Sequence, residues 1–349
     1  MTGTAPRMHR TIVRPAALDL DSPGRRDYLV ALEHDSIWGD HLMPLTVMVG
    51  PEAAPGRGLV AFGSTHGDEY EGPIAIKRLL REIDPGRVRG RIILVPVLNP
   101  SAFASGTRDA QDDDGVNLNR AFVDQAGATP ALNGISHRIA AFVRAAIWPR
   151  VHVVIDIHSG GRVAKLPHLS SFHPIADPVL ARATEECARW FGTPFVMTYQ
   201  NATPGLLTSE AERLGKITVG TELGYGTSID RDGAAFARQG ILAAAIHHDQ
   251  LAGEIAPIAH HRDGSQRLVE IVDRACFVPG PFAGHYEPVI DIGETARAGD
   301  VVGWLHDFVR IDDEPWAVRA QVDGVVLARA WGNPTRRGQH VAVVAKIIG

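Results

Sequence analysis

Residues 151–161 read VHVVIDIHSGG, a β-branched apolar run that ends in an acid, a histidine and two glycines. Strand alternation places Asp156 and His158 on one face and Ile155 and Ile157 on the other. Before it reaches Asp156 the run is apolar on both faces, as in strands covered by helices on both sides. LTVMV, GLVAFGS, RIILVPVLN and ITVGTELG have the same character. Helical periodicity occupies about 73–83, 134–147, 177–191, 204–214 and 232–251. Strands alternating with helices predict an α/β fold with a largely parallel, helix-covered sheet. In such sheets ligands collect beyond the carboxyl ends of the strands.

Proline and glycine punctuate FVPGPFAG (277–284), and past it short strands alternate with glycine turns and leave no room for a helix. The expected division is therefore a larger α/β domain over 1–270 and a small all-β domain over 271–349. A hydrophobic fraction of 45% across 349 residues is enough for a substantial core. The net charge of -5, with acids and bases interspersed, argues against nucleic acid as a partner. Cys187 and Cys276 stand far apart without CxxC spacing, which excludes a thiolate zinc site or a disulfide framework. The sequence has neither a leader-like apolar segment nor a membrane-length run, so the expectation is a cytoplasmic protein with no membrane partner. No pattern fixes the oligomeric state, and a homo-oligomer is compatible with the sequence.

His158 lies at the carboxyl end of its strand. Residues 62–72, FGSTHGDEYEG, bring His66 and Glu69 to the end of another. Two imidazoles and a carboxylate form a three-ligand set with a fourth position left for water, the pattern of catalytic zinc. Asp156, one pleat below His158, is placed to hold a ligand histidine in one tautomer. Glu222 ends the strand ITVGTELG and is the candidate base for a zinc-activated water. The loop NPSAFASGTRDAQDDDGVNLNRAF supplies Arg108 for the carbonyl oxygen, and Asn119 with Arg120 for a substrate carboxylate. Each site has a plainer reading alone: a structural histidine, a strand-end turn, a surface carboxylate, a solvated arginine. Their co-occurrence at successive strand ends favours chemistry.

HGDE (66–69), Arg108 with NLNR (117–120), DIHSGG (156–161) and TELG (221–224) together resemble the aspartoacylase/succinylglutamate desuccinylase branch of the zinc carboxypeptidase superfamily. The resemblance covers roughly 55–250. It implies a zinc-carboxypeptidase-like α/β/α domain with a mixed, mostly parallel sheet, holding one zinc on His66, Glu69 and His158. It further implies Glu222 as general acid/base, Arg108 polarising the carbonyl, and Asn119 with Arg120 binding the carboxylate. HGDEYEGP, RGRIILVPVLNP and DGVNLNRAF look closest to bacterial N-acetyl-diaminobutyrate deacetylases, while the intervening DAQDDDG departs from their pattern. The C-terminal segment resembles a biotinyl/lipoyl-type β-barrel half that lacks the lysine a carrier domain needs. In the family it caps the active-site entrance.

The expected function is a zinc-dependent amidohydrolase that deacylates a small N-acylated amino acid or related amide. The alternatives are a metallocarboxypeptidase acting on peptides, a small-ester esterase, and a non-catalytic binding protein on the same fold. Paired His247–His248 and His260–His261 are read as structural, because adjacent helical positions point apart. His168 and His173 are expected in a solvated loop, and Asp112–Asp114 likewise. Tyr286 is expected to be exposed, and Trp304, Trp316 and Trp331 to pack the β-domain core.

Overall fold

The structure, a computed structural model, describes residues 11–33, 39–111, 114–123, 134–199, 203–256, 260 and 264–349. Among these, the strands are β1 (Thr11–Val13), β2 (Gly24–Glu33), β3 (Asp40–Val49), β4 (Gly58–Gly63), β5 (Arg91–Val95), β6 (Val151–Ile157), β7 (Ala164–Lys165), β8 (Leu169–Phe172) and β9 (Phe195–Tyr199). They continue as β10 (Ile217–Glu222), β11 (Arg267–Ile271), β12 (Phe277–Pro279), β13 (His285–Pro288), β14 (Thr295–Ala296), β15 (Val301–His306), β16 (Trp316–Arg319), β17 (Gly324–Ala330) and β18 (His340–Ile347). The α-helices are α1 (Glu71–Glu82), α2 (Pro100–Ser105), α3 (Ile135–Phe142), α4 (Pro178–Arg189), α5 (Leu207–Arg213) and α6 (Arg231–His247).

One large mixed sheet runs β1-β2-β3-β5-β4-β6-β10-β8-β9-β11-β18-β17-β14. Its centre is parallel: β4 pairs in parallel with β5 and β6, and β6 with β10. The five expected strands are β3, β4, β5, β6 and β10. Alternation along β4 sends Val60 and Phe62 into one apolar core and Leu59 and Ala61 into the other. That two-sided burial is the physical reason these runs carry no polar face. Helix starts follow ordinary capping: Asp230 accepts the Gly233 N–H at 2.7 Å ahead of α6, and Asp177 caps α4 with Pro178 in its first turn.

The C-terminal strands do two things. β18, β17 and β14 continue the large sheet through β11, while β13, β15 and β16 form a small antiparallel sheet of their own.

Several sequence expectations need correction. The helix expected over 134–147 is α-helical only to Phe142 and then widens into a π turn over Val143–Ile147. Tyr286 is buried, its hydroxyl donating to the Val302 carbonyl at 3.0 Å. Trp316 and Trp331 are exposed, so of the three tryptophans only Trp304 is even half-buried. His173 is buried against Glu212, at 2.7 Å, rather than solvated. His168 stays partly exposed and pairs with Asp230 at 3.0 Å. Asp114 is not a free loop acid, since it accepts from Ser136 N–H and hydroxyl and from Val116 N–H. Asp112, Asp113 and His261 lie outside the described residues.

Candidate metal centre and its cavity

β4, β6 and β10 lie side by side and in parallel, so their carboxyl ends open on one edge. The turn after β4 carries His66 and Glu69, β6 leads directly into His158, and β10 ends in Glu222. The turn can take this path because Gly67 has no side chain: a Cβ there would sit 2.0 Å from the Ala102 carbonyl carbon. Gly67 N–H also donates to the Arg108 carbonyl, which brings the arginine loop beside His66.

One ligand atom each from His66, Glu69 and His158 lies within 4.8 Å of the others. The Glu69 carboxylate faces both imidazoles, at 2.8 Å from His66 Nδ1 and 2.8 Å from His158 Nδ1. The opposite ring nitrogens are held from behind. His66 Nε2 meets Asn117 Oδ1 at 3.1 Å, and His158 Nε2 meets Asp156 Oδ2 at 2.8 Å. This leaves both Nδ1 atoms directed at one point, with orientation fixed from the far side, as metal-binding histidines require. Thr65 in turn donates to Asp156 at 2.6 Å, and Thr221 receives the His158 backbone N–H at 3.0 Å. The chemistry of the donor set therefore fits a divalent cation with nitrogen and oxygen preference.

Electrostatics agree with that geometry. Burial disfavours a charged Glu69, yet His66 and His158 outweigh it and hold the carboxyl well below the usual range. Burial also opposes charge on His158, but Asp156 and Glu69 push its pKa well above the ordinary value. Such a concentration of buried, mutually compensating charge marks a functional site more often than a structural one. Glu222 behaves differently. Burial, reinforced by the Glu69 charge, pushes its carboxyl up to about 8, and its Oε2 is buried without a hydrogen-bond partner among the described residues.

Above this centre is a cavity of about 440 Å³. Its described lining includes His66, Arg108, Asn119, Arg120, Asp156, His158 and Glu222, so most of the sequence-selected residues meet in one space. Glu69 lies beneath, 2% exposed, with Arg108 Nη1 at 3.2 Å. Asn119 is already engaged: its Oδ1 accepts the Leu207 N–H at 3.0 Å and its Nδ2 is 3.0 Å from His158 Nε2. Arg120 is exposed to the cavity and spends one N–H on the Asn119 carbonyl. His247, His248 and His260 do not line it.

The sequence did not single out Asn117, Thr65 or Thr221, although all three sit inside the quoted stretches. Tyr199, Arg274 and Phe277 also line the cavity and had no signal of their own. The C-terminal strands reach the same loops. Trp331 N–H donates to Val163, and its ring lies 5.1 Å from that of Tyr225, just past Glu222.

A family model, the succinylglutamate desuccinylase/aspartoacylase catalytic domain, matches residues 55–248. A curated N-alpha-acetyl-L-2,4-diaminobutyric acid deacetylase of Halomonas elongata is 30% identical over 337 residues, covering 95% of this chain and 95% of that protein. A crystal structure of a succinylglutamate desuccinylase/aspartoacylase from Rhodobacter sphaeroides superposes with a TM-score of 0.84 at 30% identity, covering 95% and 98% of the two chains. The product-bound structure of the ectoine utilization protein EutE (DoeB) from Ruegeria pomeroyi gives 0.83 at 29% identity, with the same coverage.

Proposed function

The chain belongs to the succinylglutamate desuccinylase/aspartoacylase family, and from that premise we propose that it is a zinc-dependent amidohydrolase that deacylates a small N-acylated amino acid. The observation that carries the proposal is the convergence of His66, Glu69 and His158 at the floor of a cavity that also holds Glu222. His66, Glu69 and His158 would hold one zinc. A zinc ion held there would supply Lewis acidity toward the carbonyl oxygen and would lower the pKa of the attacking water.

The remaining steps belong to side chains of the chain. Glu222 takes a proton from the attacking water and returns it to the departing amine nitrogen. Its Oε2, buried at the cavity with no hydrogen-bond partner among the described residues, is free for both transfers. Arg108 keeps guanidinium N–H groups beyond the one on Glu69, and these donate to the carbonyl oxygen as negative charge develops there. Arg120 supplies the charge for the substrate carboxylate, with the Asn119 amide beside it. Asp156 keeps His158 Nδ1 directed at the metal position. In this reading residues 271–349 act as a capping domain, supported by Ile271, Asp273, Arg274 and Phe277 in the cavity wall. Among the described residues no helix is long and apolar enough to cross a membrane.

The test is amine release from a panel of N-acyl amino acids by zinc-loaded enzyme beside Glu222→Gln. The variant should keep stoichiometric zinc and lose at least about 100-fold in kcat. Turnover by the variant at the wild-type rate would remove Glu222 from the proton-transfer role. Cleavage of peptides in preference to acyl amino acids would favour a carboxypeptidase.

A further inference from the structure

The small sheet β13-β15-β16 ends in β16, and among the described residues no strand pairs with the outer side of that strand. Residues 316–321 along this edge line a groove of about 630 Å³ whose other wall includes Val278, Pro279 and Pro281. Alternation puts Trp316, Val318 and Ala320 on one face of the strand. Val318 and Ala320 are buried in the core of the C-terminal strands, whereas Trp316 is 56% exposed. The apolar layer therefore runs out past the last strand and stops without a cover. An open ladder edge beside an apolar groove is a template for one more strand.

The hairpin turn that leads into β16 carries matching material. Phe308, Val309 and Ile311 are all exposed there, Val309 to 92% and Ile311 to 83%. Such side chains clustered in one turn, with Trp316 beside them, mark an interaction site. Charge on the same edge is ordered as well. Arg310 pairs with Asp307 at 3.0 Å and Asp313 at 3.6 Å. Asp312 and Glu314, just before the strand, are exposed and have no ion-pair partner among the described residues. Arg319, at the end of the strand, is also exposed and donates only to the Gly299 carbonyl, at 2.9 Å. An edge that is acidic at one end and basic at the other is complementary to itself when reversed.

We infer that the β16 edge and its hairpin turn form a homodimer interface, in which two copies of this chain pair antiparallel about a two-fold axis near Trp316. The symmetry makes each contact occur twice. Each Arg319 comes alongside the acidic run of the other copy, and the two Trp316 rings meet across the axis. Each hairpin turn, with its apolar side chains, extends toward the Gln321 end of the other groove. The excess of acids in the turn, Asp307, Asp312, Asp313 and Glu314 against Arg310 alone, disfavours an anionic lipid surface as the occupant. The inference is independent of the hydrolase reading.

The experiment is sedimentation equilibrium of the full-length chain over about 1–100 μM, where the upper end should give twice the chain mass. Arg319→Glu sets like charges against each other and should weaken self-association about tenfold or more. Asp312→Lys with Glu314→Lys should do the same, and all three changes together should restore it. Phe308→Ser with Ile311→Ser should also weaken it. These side chains are exposed, so thermal unfolding at a concentration where wild type is monomeric should not move. A wild type that stays monomeric throughout would overturn the inference. So would a dimer that neither charge reversal weakens, or a triple variant no tighter than the reversals it combines. Flotation with vesicles of phosphatidylcholine and phosphatidylglycerol tests the lipid surface directly. Monomeric protein that floats with them, and ceases to on Phe308→Ser, would assign the turn to a membrane instead.

Discussion

The three histidines packed at the end of α6 make a quantitative prediction about acid stability. His248 lies edge-on to His152, ring centroids 5.6 Å apart, and to His247 at 5.0 Å. Its Nε2 is buried with no hydrogen-bond partner among the described residues. Burial, with the charges of His247, His152 and Arg57 in support, moves its pKa from the ordinary 6.5 down to about 3. The fold therefore holds His248 neutral while the unfolded chain protonates it. Above 6.5 both states are neutral and pH has no effect through this group. As pH falls below 6.5 the unfolded chain takes up the proton and the folded chain does not, so stability is lost until about 3. At about pH 5 the deficit is roughly 1.5 units at about 1.4 kcal/mol each, or about 2 kcal/mol, reduced to between about 1 and 2 by partial solvent access. His248→Phe keeps a ring and removes the titration. In chelator-treated protein, thermal unfolding between about pH 7.5 and pH 5 should shift by about 1–3 °C less in the variant than in wild type. Parallel shifts in the two proteins would refute the reasoning.

Two further outcomes follow from packing. Gly67→Ala should destabilise the chain by about 1–3 kcal/mol and weaken metal binding, because only backbone lies within 2.4 Å of the added carbon; denaturant unfolding and a zinc titration check both, and a wild-type zinc affinity would dissociate the turn from the site. Glu210→Ala should cost about 3 kcal/mol or more in denaturant unfolding, since the buried carboxylate takes Trp148 Nε1 at 2.7 Å and Arg144 at 2.6 Å; a loss under about 1 kcal/mol would mean that water replaces it at no great penalty.

The central sheet was legible because β4, β5 and β6 bury both faces, and a strand with no polar face writes itself as a β-branched run. β8 was not legible. Its sequence LSSF hides two buried serines, and Ser170 earns its place only by donating to the Ala188 carbonyl at 2.8 Å on a helix the strand does not know about. β2 likewise carries Arg25 and Asp27, which pair at 3.1 Å with each other and read as loop residues until the partner strand is in view. At the site, the residues at strand ends could be found because chain order and sheet order both bring them to one edge. Asn117 serves His66 from a separate loop, and Arg274 arrives from β11, four places along the sheet from His158's strand. Neither relation has a local spacing. Trp331 misled for the same reason: large aromatics usually fill cores, but this one lies against Tyr225 on the outside of the Glu222 loop.

The unbroken hydrogen-bonded path from β6 to β18 has a consequence for how substrates are admitted. β11 is zipped to β9 on one side and to β18 on the other, and the residues that follow β11 form the far wall of the cavity. Swinging the C-terminal strands outward would tear ladder hydrogen bonds along that path, so the aperture has a fixed width across the sheet. Under the proposed function a substrate would then be selected by its length, and its exchange would depend on side chains and loops rather than on a hinge.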